Sequence, residues 1–216
     1  MSWFTKSLTS SLGKKFIMAM TGFLLGSFLL VHAAGNTSIL FGRNAFISYS
    51  EHLHSLGFLI GVAEILLLAL FLAHIITGFI LFLENYRARA SRYAVKKNAG
   101  GRTWGSVTMP YTGLVILGFI IIHLLNVHFT DHNRSIADIV AAVLHNPLFT
   151  VLYSIGLVAL TLHVSHGFWS MFQSMGVNHP KYDQGIRTGA WISCGIIVAV
   201  FFIIVLLLLV NSNILA

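Results

Sequence analysis

Four histidines stand within long apolar stretches of the chain, His32, His74, His123 and His163, at intervals of 42, 49 and 40 residues. Hydrocarbon offers a polar ring no partner, so a histidine at membrane depth is costly and marks a functional position. A neutral imidazole presents one bare nitrogen, which can ligate a metal or pass a proton. One such histidine alone reads most simply as a hydrogen-bonded core residue. Four of them, one per apolar stretch, call for a common purpose. A further histidine, His166, follows His163 by three positions.

The elements that must position these residues follow from length. A helix crossing a bilayer needs roughly 20 mostly apolar residues. Stretches of that kind run over about 16–35, 56–83, 109–129, 148–175 and 190–210. The expectation is an all-α integral membrane bundle of five transmembrane helices, a single domain over 1–216, with no internal repeat and no low-complexity linker. The last stretch has neither charge nor histidine and reads as a plain lipid-facing helix.

Composition agrees with a membrane class. The 216 residues are 56% hydrophobic and only 9% charged, whereas a soluble domain carries about 25% charged residues. Thirteen Lys and Arg against six Asp and Glu give a net charge of +7. These bases flank apolar stretches, so they read as topology signals and contacts to anionic lipid, not as a nucleic-acid surface. Eleven fall on one side: Lys6, Lys14, Lys15, Arg87, Arg89, Arg92, Lys96, Lys97, Arg102, Lys181 and Arg187. Only Arg43 and Arg134 fall on the other. The positive-inside rule then places the N-terminus in the cytoplasm and the protein in the cell inner membrane. The N-terminal segment has the basic flank of a signal peptide, but the apolar stretch after it is long and lacks a clear cleavage site, so it reads as a retained helix. The one cysteine, Cys194, excludes an intrachain disulfide and an iron–sulfur cluster held by this chain alone.

Depth turns the histidines into pairs. At about 1.5 Å of rise per residue, His32 lies about 24 Å and His123 about 21 Å from the end that holds the N-terminus. His74 and His163, on helices running the other way, each lie about 14 Å from it. His32 and His123 form a distal layer, His74 and His163 a proximal one, although depth does not separate His163 from His166. Each layer draws one imidazole from each of two helices, the arrangement that holds a haem between facing helices by two axial ligands. Two imidazoles leave the iron no open position, so such a haem carries electrons. Gly78, Gly167, Gly118, Gly22 and Gly26 lie near the histidines and could open the bundle for two haem b groups, or serve ordinary helix packing.

At these residues the chain resembles a known family, the di-haem cytochrome b membrane anchors of succinate dehydrogenase and fumarate reductase, of the single-anchor five-helix kind. The resemblance covers essentially the whole chain. It is carried by SSLGKKFIMAMTG at Ser10–Gly22, HAAGN at His32–Asn36 with NAF at Asn44–Phe46, AHIITG at Ala73–Gly78, FIIIH at Phe119–His123 and LHVSHGFWS at Leu162–Ser170. It implies that His163, rather than His166, is the fourth ligand. It implies a flavoprotein and an iron–sulfur subunit on the cytoplasmic face, with electrons passing through the haems between the iron–sulfur subunit and a quinone, menaquinone by family habit. Succinate or fumarate chemistry itself then belongs to the partner, and a higher oligomer of the complex is compatible with this.

A quinone takes up or releases protons with its electrons, so its site needs a proton carrier. Glu51, His52, His54 and Glu64 gather near the second helix, and His128, Asp131 and His132 follow the third. The resemblance favours Glu51 as carrier, with His54 or Glu64 assisting. Lys14, Lys15, Arg87 and Arg187 stand where proximal haem propionates would emerge, and His166 could bond a propionate or support the ligand. Some relatives carry a proton-conducting acid just before the fourth ligand, and here Leu160, Thr161 and Leu162 stand there. The alternative readings are the di-haem b subunit of another quinone-linked oxidoreductase, such as nitrate reductase, formate dehydrogenase or hydrogenase, and a transporter whose histidines relay protons.

Overall fold

The computed structural model describes residues 2–88, 104–131, 133–177, 179–211 and 214–215. Arg89, Arg92, Lys96, Lys97, Arg102 and His132, used above for topology and proton exchange, lie outside the described residues.

Every regular element among the described residues is helical. The order is α1 (Trp3–Thr9), α2 (Ser11–Asn36), a 3-10 helix (Thr37–Phe41), α3 (Arg43–His54), α4 (Phe58–Arg87), α5 (Trp104–Val127), α6 (Ile136–Leu144), α7 (Pro147–Ser174) and α8 (Pro180–Val210). Five of these, α2, α4, α5, α7 and α8, are long and apolar enough to cross a bilayer. They match the five expected helices, with ends shifted by up to ten residues. The starts are written locally. The Ser10 hydroxyl accepts from Gly13 N–H at the head of α2. Pro147 and Pro180 occupy the first helical positions of α7 and α8, where a missing N–H costs nothing.

α2, α4, α5 and α7 form a four-helix ring: α2 packs on α4, α5 on α7 and α2 on α7, with α4 touching α5 more lightly. α8 lies against α7 and α2. The expectation that the last helix is plain lipid-facing is wrong. Ala190, Cys194, Ile197, Ile204, Val205 and Leu208 make a buried stripe along it, and Phe201 meets the His32 ring at 5.7 Å. Its lack of polar residues hid this, because in a membrane the face toward protein can be as apolar as the face toward lipid.

Two helices that hydropathy missed, α3 and α6, sit at the distal end. Both are too short to span: α3 has 12 residues and α6 has nine. Gly42 (φ 95°) and Gly57 (φ 52°) take the left-handed backbone that turns the chain into and out of α3. Ile39, Phe46, Ala137, Val143, Leu144, Leu208 and Leu215 bury one another beneath this cap. Arg43 fastens it. Its guanidinium grips Asp138 with two bonds of 2.7 and 3.1 Å, and donates to the Leu215 carbonyl at 2.6 Å and the Ser135 hydroxyl at 3.2 Å. At the opposite end Lys14 of α2 pairs with Glu84 of α4.

Hydrogen bonds from Arg43 and from the Ser135 hydroxyl hold the Asp138 carboxyl well below the usual carboxylate range. A depressed folded value adds stability that is present above the unfolded carboxylate range and is lost as pH falls through the folded value. The cap therefore persists through mildly acid pH. Asp138→Asn should speed hydrogen exchange across residues 43–54 and 136–144 at neutral pH and leave the spans protected. Unchanged exchange there would remove Arg43–Asp138 as the fastening.

Candidate functional site: two facing histidine pairs

The ring of helices brings the four histidines together as two pairs. His32 of α2 faces His123 of α5 with ring centroids 6.0 Å apart and planes at 81°. His74 of α4 faces His163 of α7 at 6.3 Å and 65°. These are the pairs that depth counting gives. His166 belongs to neither. It lies over Gly105 at the start of α5, where an added Cβ would come within 2.7 Å of it, and its ring is 5.9 Å from Trp169.

The proximal pair is held by two threonines. The Nδ1 of His74 is 3.1 Å from the Thr21 hydroxyl of α2, and the Nδ1 of His163 is 3.1 Å from the Thr112 hydroxyl of α5. Each hydroxyl spends its hydrogen on its own helix: Thr21 donates to the Ile17 carbonyl at 2.8 Å, and Thr112 to the Thr108 carbonyl at 3.0 Å. Both threonines are buried, at 7% exposure. The residue after each is glycine. A Cβ on Gly22 would lie 3.3 Å from His74 Cε1, and one on Gly113 3.5 Å from His163 Cε1, so both helices let the neighbouring imidazole close in.

The distal pair is held differently. His123 Nδ1 is 3.3 Å from the Tyr153 hydroxyl of α7. The Phe119 ring packs against both, 5.9 Å from His123 and edge-on to Tyr153 at 5.1 Å. Phe119 in turn rests on Gly156, where a Cβ would come within 2.5 Å of the ring. His32 lies between Phe28 at 5.4 Å and Phe201 at 5.7 Å.

Thr21, Thr112 and Tyr153 escaped the sequence reading, although a signal for the threonines was present. Thr-Gly followed after nine residues by His occurs twice, at Thr21-Gly22…His32 and Thr112-Gly113…His123. Eleven residues of helix, a rise of about 16 Å, separate each threonine from the histidine further along its own helix. Of the glycines singled out above, Gly22 lies beside the His74 ring, while a Cβ on Gly78 would come within 3.2 Å of the Met18 methyl, so Gly78 serves packing. Gly26, Gly118 and Gly167 border open space.

The geometry suits an iron between each pair. Metal–imidazole bonds of about 2 Å on opposite sides of one ion, with each ring centroid about 1 Å beyond its nitrogen, put the centroids about 6 Å apart. Among the described residues no three His, Cys, Asp or Glu side chains converge. A bare ion would find too few ligands here, whereas an iron already held by a macrocycle needs only two.

The remaining candidates spread to the two ends. Lys15 is exposed near the start of α2. Arg187 is committed to Asp183 at 2.8 Å and lies 4.0 Å over the Trp169 ring, whose Nε1 also donates to Asp183. At the distal end Glu51 and His54 are exposed on α3, with His54 Nδ1 turned to the Ser50 carbonyl at 2.8 Å. Glu64 of α4 is 3.8 Å from His128, just past the end of α5. Glu51 and Glu64 thus sit on different helices rather than in one cluster.

Fold and site together define a five-span helical membrane protein with its buried imidazoles set face to face in two layers. No family model matches the chain, and no solved structure matches it. It is similar to the succinate dehydrogenase cytochrome b558 subunit of Bacillus subtilis, with 24% identity over 170 residues that span 76% of this chain and 79% of that protein. The name of that relative agrees with the resemblance carried by the motifs.

Gly156→Val would force the Phe119 ring away from α7. Overpacking of this kind costs about 1–3 kcal/mol, so the variant should unfold at a lower temperature in detergent. An unshifted transition would show that the α5–α7 contact is looser than the geometry requires.

Proposed function

We propose that this chain is the haem-carrying membrane anchor of a succinate:quinone oxidoreductase, a succinate dehydrogenase or fumarate reductase. It passes electrons between an iron–sulfur partner and a membrane quinone. The observation that carries this reading is the pair of facing imidazoles, at 6.0 and 6.3 Å, in two layers across one bundle. The Bacillus subtilis relative, a succinate dehydrogenase cytochrome b558 subunit, supports it.

His32 and His123 would hold the distal haem, and His74 and His163 the proximal one. Haem bound there would supply reversible one-electron chemistry at iron. The chain supplies imidazole nitrogens, a dry apolar setting and a fixed separation between the layers. A relay across a bilayer needs such stepping stones, because the hydrocarbon core is about 30 Å thick. The one cysteine is buried and the chain cannot hold an iron–sulfur cluster alone, so electrons come from and go to partners. A flavoprotein subunit and an iron–sulfur subunit dock at the end that holds the N-terminus, on the cytoplasmic side. Lys15, Arg187 and His166 lie at that end, near the proximal propionates. A quinone, menaquinone by family habit, is served at the distal end, where Glu51, His54 and Glu64 exchange protons with water. The exposure of Glu51 and His54 and the Glu64–His128 pair support that assignment.

Purified with its partners, the chain should give a reduced-minus-oxidised spectrum of bis-histidine b-type haem at two haems per chain. His32→Ala and His123→Ala should delete one spectral component, and His74→Ala and His163→Ala the other. A flavoprotein and an iron–sulfur protein should copurify. Deletion of the same component by His32→Ala and His74→Ala would break the pairing. A colourless preparation would refute the haem reading altogether.

A further inference from the structure

We propose that Thr21 and Thr112 are positioning residues for the proximal haem: each fixes the tautomer and rotation of a proximal ligand and thereby sets that haem's potential apart from the distal one. This rests on the haem reading above, but it assigns to two threonines a role that the ligand set does not include.

A ligand histidine must bind iron through one nitrogen and place the proton of the other. Which nitrogen does which is decided by the hydrogen bond at the second nitrogen. Each threonine hydroxyl has one hydrogen and gives it to a helix carbonyl, Ile17 for Thr21 and Thr108 for Thr112. Toward the imidazole it therefore presents a lone pair. With that hydrogen committed, the contacts assign the protons of His74 and His163 to Nδ1, at 3.1 Å from those oxygens, and His163 has a further hydrogen bond to the Met109 backbone. Nε2 is left bare on both rings, and the rings face each other.

The arrangement is crossed between helices. Thr21 shares α2 with the distal ligand His32 but holds the proximal ligand of α4. Thr112 shares α5 with His123 but holds the proximal ligand of α7. Each Thr-Gly pair thus couples a hydroxyl grip to a glycine that admits the same ring, with Cβ positions 3.3 and 3.5 Å from the imidazole carbons. The same pattern at both ligands, from two separate helices, goes beyond helix packing.

The distal layer lacks this pattern. His123 meets the Tyr153 phenol at 3.3 Å. His32 has aromatic rings on two sides, and its side chain makes no hydrogen bond among the described residues. A lone pair accepting from Nδ1–H makes Nε2 a stronger donor to iron, which favours the ferric state. Both proximal ligands receive that help, so removing a threonine hydroxyl should raise the proximal potential.

The test uses the full chain with its partner subunits and a potentiometric titration of both spectral components. In Thr21→Val and in Thr112→Val, the component deleted by His74→Ala should titrate at a higher potential than in the wild type. The other component should stay in place. Thr21→Ser and Thr112→Ser, which keep the hydroxyl, should restore the wild-type value. Tyr153→Phe should move only the component deleted by His32→Ala. The ferric EPR signal of the proximal haem should also shift at its low-field edge in the valine variants, because ring rotation changes with the lost bond. Loss of the proximal haem in the valine variants with retention in the serine variants would equally uphold the role. Valine variants with an unmoved proximal potential, equal shifts of both components, or failure of serine to restore the value would overturn it. A wild-type protein without haem would refute the proposed function instead.

Discussion

A buried imidazole has two nitrogens and no water to satisfy them, and the architecture of this protein follows from that constraint. One nitrogen must find an acceptor for its proton, and the other must find a use for its lone pair. In the proximal layer the acceptors are Thr21 and Thr112, reached across helix contacts. The two proximal rings then lie 6.3 Å apart between centroids, the separation that one metal ligated between them would give. Helix positions, packing order and the glycines at 22 and 113 serve that geometry. α2 must approach α4, and α5 must approach α7, closely enough for a hydroxyl on one to touch a ring on the other.

The two layers solve the same problem with different chemistry. The proximal rings are gripped by hydroxyls and admitted by glycines. The distal rings are wedged among Phe28, Phe119, Tyr153 and Phe201. Helix α8 takes part through Phe201, so the fifth span is a wall of the distal site and not only an anchor. The cap of α3 and α6, tied by Arg43 to Asp138 and to the Leu215 carbonyl, covers that same end. An ionic fastening is placed where water can reach it, and the interior is left to apolar contact and neutral hydrogen bonds, as the cost of charge in hydrocarbon requires.

Much of this was legible in the sequence, and the reasons differ by element. The five spans stand out because their apolar runs exceed any ordinary core helix. The histidine pairs could be counted because a helix rises uniformly, so residue number converts to depth. α3 and α6 were missed because they are too short for a hydropathy window to register as spans, and a polar loop and a short helix look alike to it. α8 was misjudged because lipid and protein neighbours select similar side chains. The threonines were invisible singly, since threonine is common in membrane helices. Only their repetition eleven residues before two ligands, each followed by glycine, sets them apart. His166 shows the opposite limit. Its depth nearly equals that of His163, and only its position over Gly105 takes it out of the pair.

Anomalous diffraction at the iron edge from crystals of the assembled complex addresses the central claim most directly. Two iron peaks should lie within this chain, one between His32 and His123 and the other between His74 and His163. A single peak, or a peak ligated by His166 or by any other combination of the histidines, would contradict the account.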